Sequence, residues 1–287
     1  MIDISVIIVT WNSEEEINTC ANSVIENSGL SGGMDVELII IDNASSDNTI
    51  EKLKKIKHDN LHIYENETNF GYTKAVNQGI KYSRGKNIFL LNPDTILKAG
   101  VLKKLNDFLN NNPSYGACSP LMLNEDGSIQ QSIRSFPTYW IMYCEFYLLA
   151  YIFPKSKLFG SWKMKYFDYK QDQDVNQPMA AALMLKKSSI DKLGLMDERF
   201  EMFFNDVDLC KRIIDTGLKI RFLKEPAVVH KKGASIYKDR AKMIRVWNRD
   251  CKKYFEKHHY NPILLLWLNI NLKISGLLRI FYIKLFR

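Results

Sequence analysis

Paired cysteines, glycine-rich stretches and long uncharged apolar runs are all missing from this 287-residue chain, and each absence removes a class of protein. The five cysteines, Cys20, Cys118, Cys144, Cys210 and Cys251, are odd in number and widely spaced. That spacing argues against a disulfide framework and a structural zinc site, and fits reduced thiols in a cytoplasm. Fourteen glycines and eight prolines are too few for a collagenous or low-complexity chain. No stretch of eighteen apolar residues is free of charge. The nearest, residues 263–286, is interrupted by Lys273, Arg279 and Lys284, so a membrane-spanning helix is not expected. The opening MIDISVIIVTWN has no basic segment ahead of its apolar run and reads as a strand, not a signal peptide. No G-x-G-x-x-G follows a strand, which disfavours a nicotinamide-dependent dehydrogenase.

What remains is an ordinary globular composition, 46% hydrophobic and 25% charged, at a length suited to one large α/β domain or two small ones. The net charge of +8 is unevenly placed: residues 1–209 hold 21 basic and 27 acidic residues, residues 210–287 hold 19 and 5. A basic end of this kind suits phospholipid, a diphosphate-bearing substrate or nucleic acid. No nucleic-acid reading motif accompanies the charge, so nucleic acid is not expected as a partner.

Hydrophobic patterning predicts strands over residues 4–10 (ISVIIVT), 37–41 (ELIII), 61–64 and 87–91 (NIFLL). Helices are expected between them: from Ser13 as N-cap toward Glu26, from Ser46 through about Ile56, and over residues 73–83 and 100–110. This alternation predicts a mostly parallel sheet with right-handed crossovers, whose ligands bind beyond the carboxyl ends of the strands. Further on, residues 180–186 read as a strand, 206–216 as a helix ending at Gly217, and 218–223 and 227–230 as strand-like. Residues 136–169 hold 13 aromatic residues in 34, against 12% chain-wide, and read either as a second apolar cluster or as an amphipathic surface. Near the C-terminus, Asn269, Lys273, Lys284 and Arg287 share one side of a helix, giving two options: an interfacial amphipathic helix or one docked on the protein's own core.

Several polar residues fall just after strand ends: Thr10, Asn12, Asp42, Asn43, Asn92 and Asp94. Asp94, in L-N-P-D-T, is a suitable hard ligand for Mg²⁺ or Mn²⁺, although Pro and Asp are also common turn residues. In F-F-N-D-V-D-L-C-K-R, Asp206 and Asp208 point in different directions on a helix, so one can face a cleft as general base while the other caps the helix or meets Arg212. Both also suit the positive end of a helix. His230 is a candidate metal ligand or a structural histidine, with Lys231, Lys232 and Ser235 beside it as phosphate contacts. Gly71, in N-F-G-Y, allows a tight turn ahead of a helix start.

Taken together, strand–T-W-N, I-I-D-N-A-S-S-D, N-x-G-(x)₅-N-x-G, L-N-P-D, N-D-V-D-L-C and H-x-x-G-x-S form an ordered set over residues 3–236. The set resembles the family-2 glycosyltransferases of the GT-A fold, and among them the bacterial rhamnosyltransferases that build surface polysaccharides. The resemblance implies a Rossmann-like GT-A domain over residues 1–236, with an aromatic-rich, helical insertion at about 128–178 facing acceptor or membrane. A basic amphipathic helical extension would follow over residues 237–287. It implies nucleotide contacts from Thr10, Asn12, Asp42, Asn43, Gly71, Asn77 and Asn92, and metal ligation by Asp94 and His230. Asp206 would be the catalytic base, with Asp208, Lys232 and Ser235 near phosphate or acceptor. The family's E-D pair is here Asn205-Asp206, and the first acid of its metal motif is Asn92.

The reaction implied is an inverting transfer from a nucleotide-diphosphate sugar, with dTDP-rhamnose as first candidate and UDP-hexose or UDP-N-acetylhexosamine as alternatives. A Mg²⁺ or Mn²⁺ cofactor, a polyprenyl-diphosphate-linked glycan acceptor and an anionic membrane surface complete the expectation, with the protein cytoplasmic and peripheral on the inner face of the cell membrane. A sugar nucleotidylyltransferase would need a glycine-rich loop after the first strand, where this chain has the acidic T-W-N-S-E-E-E. Asn205 leaves open an inactive, membrane-associated assembly subunit that kept the fold.

Overall fold

The computed structural model describes residues 2–30, 32–231 and 240–285, apart from the Lys284 side chain. In chain order the elements are β1 (Ile4–Thr10), α1 (Ile17–Gly29), β2 (Val36–Asp42), α2 (Thr49–Lys54), β3 (Leu61–Glu65), α3 (Tyr72–Tyr82), β4 (Asn87–Leu91), β5 (Thr95–Leu97), α4 (Val101–Asn111) and β6 (Tyr115–Leu123). There follow β7 (Ile133–Arg134), α5 (Tyr139–Phe146), α6 (Leu149–Ile152), β8 (Gln173–Asp174), β9 (Gln177–Pro178), β10 (Ala182–Lys186), α7 (Lys187–Leu193), α8 (Asn205–Asp215), β11 (Lys219–His230), α9 (Arg240–His258) and α10 (Pro262–Leu285).

The main sheet runs β3-β2-β1-β4-β10-β6-β11-β5, with β8 also on β11. β1 is parallel to β2 and β4, while β10 is antiparallel to both of its neighbours and β5 to β11. Chain order reverses at β1, so the carboxyl ends of β1 and β4 open a crevice of the kind that binds nucleotides in doubly wound sheets. Both faces of the sheet are covered, which is why β1, β2 and β4 read as unbroken apolar runs. Ile4, Val6, Ile8 and Phe89 pack against α1 and α4 on one face. Ile7, Ile39, Leu90 and Leu183 pack against α3 and α8 on the other. α3 lies so near β1 that a Cβ on Gly79 would stand 2.5 Å from Ile7 Cγ2.

Three local expectations change. α1 begins at Ile17, because the Ser13 carbonyl accepts from Glu16 N (3.2 Å) and Ile17 N (3.0 Å), so Ser13 does not cap through its hydroxyl. Residues 14–16 therefore stay as a turn at the crevice. α2 is also shorter than expected, starting at Thr49, whose amide donates to Asp47 Oδ1 at 3.0 Å. The two strand-like stretches after residue 218 are one strand, β11, with an irregularity between Phe222 and Ala227. That irregularity falls opposite Pro120 of β6, which has no N–H to give a partner.

The aromatic segment divides between inside and outside. Met142, Tyr139 and Phe146 join a third core with Phe200, Phe204, Tyr254, Phe255, Leu268 and Leu272. Trp140, Tyr143, Tyr147, Leu148, Tyr151, Ile152 and Phe153 remain exposed. The C-terminal part is two helices of different character. α9 carries Lys242, Arg245, Arg249, Lys252, Lys253 and Lys257. α10 is apolar nearly all round: Leu268 and Leu272 are buried, while Ile263, Leu266, Ile270, Ile274, Leu277, Leu278, Phe281 and Tyr282 are exposed. Its stretch Pro262–Ile283 is long and apolar enough to cross a membrane despite its interior charges.

α8 and α9 are clamped by Asp208. This fully buried carboxylate meets Arg212 Nε at 2.8 Å, Lys257 Nζ at 2.5 Å and His258 Nε2 at 2.7 Å. Burial alone would push its carboxyl up; the hydrogen bonds from His258 and Lys257 and the Arg212 and Lys257 charges outweigh burial and hold it below the ordinary carboxylate range. A depressed folded-state pKa means that its contribution is complete above the unfolded value of about 3.9 and is lost as pH falls through the folded one. Asp208→Asn removes the carboxylate that Arg212, Lys257 and His258 share and should cost roughly 3–5 kcal/mol at neutral pH, with a smaller loss in acid. Urea denaturation at the two pH values measures this, and equal stability of variant and parent would dismiss the clamp.

Candidate active site

The crevice is built from strand ends in register. Thr10 lies opposite Asp42 on β2, which in turn lies opposite Glu65 on β3. Thr10 Oγ1 is buried and has no hydrogen-bond partner among the described residues. Asn12 holds a left-handed backbone (φ 51°), and its Oδ1 accepts from Ser46 N at 2.8 Å, tying the β1 loop to the β2 loop. Asp42 accepts from Ser45 N and Ser45 Oγ at 2.9 and 2.5 Å. Asn43 donates to the Gly71 carbonyl at 3.1 Å and accepts from Asn66 Nδ2 at 3.0 Å. Gly71, at φ +85°, makes the turn into α3. These residues form one connected rim beside the buried Thr10 hydroxyl.

Asp94 and His230 meet on adjacent strands, because His230 pairs with Thr95. His230 Nε2 stands 3.3 Å from Asp94 Oδ1. Gln130 arranges the imidazole: its Nε2 donates to Asn124 Oδ1 (2.9 Å) and to the His230 carbonyl (3.1 Å), leaving its Oε1 to accept from His230 Nδ1 at 2.7 Å. Nδ1 is thereby engaged by Gln130, and Nε2 is the ring nitrogen that faces the carboxylate. The Glu16 pKa is raised, through burial first and then the Glu15 and Asp94 charges. A carboxylate and an imidazole nitrogen side by side suit a hard divalent cation. Among the described residues no group of three or more His, Cys, Asp and Glu side chains gathers, so a cation here would take its other ligands from diphosphate and water. Asn92 anchors the turn, its amide donating to Ala181 O at 3.0 Å and its carbonyl accepting from Thr95 Oγ1 at 2.6 Å.

Asp206 opens α8 and is partly accessible. Burial raises its pKa, against hydrogen bonds accepted from Ala180 N (3.4 Å), Val207 N (2.8 Å) and Gln177 Nε2 (3.2 Å). Among the described residues it has no ion-pair partner. Asn205 is buried and donates to Thr73 Oγ1 (3.0 Å) and the Met202 carbonyl (3.2 Å), while its Oδ1 accepts from Asp206 N at 2.6 Å. A carboxylate at 205 would have nothing to donate to the Met202 carbonyl, so the amide is the matching side chain here. Ahead of it, Phe204 takes a left-handed conformation (φ 61°) and Asp250 on α9 accepts from three successive amides, Glu201, Met202 and Phe203, at 3.1, 3.2 and 3.1 Å.

Tyr72 lies within electrostatic reach of both Asp94 and Asp206, joining the two halves; burial and those two carboxylates push its hydroxyl up. Arg134 stands near Asp206 with no ion-pair partner among the described residues, and burial lowers its pKa.

Two expected contacts sit elsewhere. Asp208 faces α9 with both oxygens taken, so it cannot meet phosphate or acceptor. Asn77 is buried and its amide is spent on Met196 N (3.0 Å), Met196 O (2.9 Å) and Glu198 Oε1 (3.0 Å), which makes it a tie between α3 and the loop before α8. Lys232 and Ser235 lie outside the described residues, as do Arg287 and the Lys284 side chain. Gln130, Tyr72, Arg134 and Asp250 carry no local sequence signal, since each acts across a long chain separation.

A mostly parallel sheet with a crevice at its strand ends, an acid beside that crevice and a carboxylate opening a later helix define the GT-A fold. The glycosyl transferase family 2 profile matches residues 5–175, and the chain belongs to that family. It is 26% identical over 220 residues to a low-salt glycan biosynthesis hexosyltransferase of Haloferax volcanii, covering 73% of this chain and 61% of the archaeal protein. It is 24% identical over 235 residues to an N-acetylglucosaminyl-diphospho-decaprenol L-rhamnosyltransferase of Mycobacterium tuberculosis, covering 78% and 76%. Its fold matches Staphylococcus aureus TarS with UDP (TM-score 0.57, 16% identity, 93% of this chain, 70% of TarS). It also matches GalNAc-T7 with UDP, GalNAc and Mn²⁺ (TM-score 0.60, 14% identity, 88% and 47%).

The Asp250 contact yields a direct expectation. Asp250→Ala leaves three amides of the 201–203 loop without their acceptor, at about 1–3 kcal/mol each where they are desolvated. Hydrogen exchange at Glu201, Met202 and Phe203 should quicken by at least about tenfold, and unchanged exchange there would remove Asp250 from the support of this loop.

Proposed function

We propose that the chain transfers a sugar, with inversion, from a nucleotide diphosphate to a hydroxyl of a lipid-linked cell-surface glycan. dTDP-rhamnose is the first candidate donor, and UDP-hexose or UDP-N-acetylhexosamine the alternative. The observation that carries this reading is Asp206: a partly accessible carboxylate with a raised pKa and no ion-pair partner among the described residues, across Tyr72 from the Asp94–His230 pair. The Mycobacterium relative supports the rhamnosyl and lipid-linked parts, and the UDP complexes of the structural neighbours support the nucleotide. An inactive assembly subunit is disfavoured, because Asn205 is built in: its Nδ2 donates to Thr73 Oγ1 and the Met202 carbonyl while its Oδ1 accepts from the Asp206 amide.

The donor would lie along Thr10, Asn12 and the Asp42–Asn43 turn, with its diphosphate toward Asp94 and His230. These two residues would hold Mg²⁺ or Mn²⁺, which supplies charge neutralisation for a departing diphosphate. Gln130 turns His230 Nε2 toward Asp94 for that task. Asp206 takes the proton from the acceptor hydroxyl as its oxygen attacks the anomeric carbon, and the bond to the diphosphate breaks on the opposite face. Tyr72 and Arg134 line the space between. General-base catalysis contributes about 10²–10⁴-fold. Asp206→Asn should lose turnover on that scale while keeping nucleotide affinity, and EDTA should weaken nucleotide binding in parent and variant alike. In the parent, activity should fall in acid at a pH above the ordinary carboxylate range, because the base must be ionised. Near-parental turnover of the variant would end the assignment of Asp206, and EDTA-indifferent binding would end that of the metal.

The same reading places the protein peripherally on the inner face of the cell membrane. α10 packs along the charged α9, with Asn248 Nδ2 on the Leu272 carbonyl at 2.7 Å and Arg279 on Asn248 Oδ1 at 3.1 Å. A spanning α10 would drag α9's lysines and arginines into hydrocarbon at about 2.5–3.5 kcal/mol each, so α10 lies in the interface instead. The exposed Tyr143 and Tyr147 sit beside it at headgroup depth, where amphipathic rings are favoured. Ile270→Glu with Leu277→Glu should abolish co-sedimentation with phosphatidylglycerol vesicles without altering nucleotide affinity. Sedimentation equal to the parent's would reject this surface.

A further inference from the structure

An apolar groove of about 520 Å³ lies between the loop ahead of α8 and the two C-terminal helices, lined by Phe203, Met243, Ile244, Trp247 and Ile283, with Arg240 and Arg279 at its wall. Arg279 has no carboxylate partner among the described residues. Its donors reach only Asn248 Oδ1 (3.1 Å) and the Ser275 carbonyl (3.2 Å), and its guanidinium stacks 5.5 Å over Trp247. Arg279 is thus an exposed cation fixed beside an apolar lining, and the described residues supply no anion to it.

The groove is tied to the reacting end of the molecule. Phe203 is three residues before Asp206, a chain span of at most about 11 Å. Trp247 packs on Phe204 (5.5 Å) and on Trp162 (5.9 Å), and the Trp162 carbonyl accepts from Ser135 N at 3.1 Å, next to Arg134. In the other direction the groove continues, through Ile283, onto the exposed apolar face of α10.

Resting on the glycosyltransferase reading above, we infer that this groove is the acceptor's lipid site. An isoprenoid-type chain lies along Met243, Ile244, Trp247 and Ile283, its phosphate group is met by Arg279, and its sugar reaches Asp206. The chemistry required is one anionic phosphate joined to a long apolar chain. A free phosphate has no use for the apolar lining, and a pocket for an apolar chain alone has no use for a guanidinium fixed at its wall by Trp247 and Asn248.

The test is calorimetric titration of the full chain, in EDTA, with farnesyl diphosphate and with inorganic diphosphate. Farnesyl diphosphate should bind well above inorganic diphosphate. Arg279→Gln, which keeps a donor for Asn248, and Met243→Glu, which places a carboxylate in the groove, should each weaken it about 10- to 100-fold. Retained nucleotide affinity in the two variants certifies that they are folded. Equal binding of the two diphosphates, or parental farnesyl diphosphate affinity in both variants, overturns the proposal. Variants that change only co-sedimentation with phosphatidylglycerol vesicles also overturn it, by making the groove a contact for bulk membrane lipid. Were no nucleotide to bind the parent while farnesyl diphosphate binding stayed sensitive to both variants, with circular dichroism certifying their fold, the groove would stand and the glycosyltransfer reading would fall.

Discussion

One buried carboxylate on a C-terminal helix sets the geometry of the cleft. Asp250 gathers the amides of residues 201–203, which forces the chain to turn at Phe204 in a conformation that costs a non-glycine residue of the order of 1 kcal/mol or more. That turn is what starts α8 at Asn205 and brings Asp206 out of the helix toward Gln177 and Ala180. Asp208, one turn on, closes the arrangement from the other side by binding α9 at Lys257 and His258. Asp206 and the C-terminal helices are therefore one mechanical unit. A perturbation of α10 reaches the Asp206 carboxylate through α9 and two acids.

The parallel half of the fold was legible from residue order because its strands are covered on both faces, so β1, β2 and β4 appear as bare β-branched runs. β6 was not, because Y-G-A-C-S-P-L-M-L lacks that signature; it is a central strand whose proline falls where β11 breaks register. β5 is three residues long and has no periodicity to read. The division of the C-terminal helices was not legible, since counting charges over residues 237–287 averages a cationic α9 with an apolar α10.

The site divides along a similar line. Asp94, Asp206 and His230 stand at strand or helix ends, where local sequence advertises them. Gln130 reaches His230 across 100 residues and Asn205 reaches Thr73 across 132, so their roles exist only after folding. Asp206 and Asp208 could not be separated from spacing alone beyond saying that they diverge; the cations of α9 decide which one is architecture. Asn77 shows the reverse hazard, a polar residue in a well-placed motif whose every donor and acceptor is consumed by the loop at Met196.

A sorting principle emerges from these cases. Glu37 is fully buried and fully answered: Ser5 Oγ, Arg84 N and Arg84 Nε all donate to it, and its pKa falls despite desolvation. Asp208 is answered by Arg212, Lys257 and His258. Such groups hold the fold, and their energetics close within the chain. Thr10 Oγ1, Asp206 and Arg134 are different: each is wholly or partly buried, and among the described residues Thr10 Oγ1 has no hydrogen-bond partner and Asp206 and Arg134 no ion-pair partner. Desolvation without compensation costs stability, so these three groups mark where the fold leaves room for polar groups it does not itself supply. They run from the β1 strand end to the start of α8, and Arg279 continues the line as an exposed cation on α10.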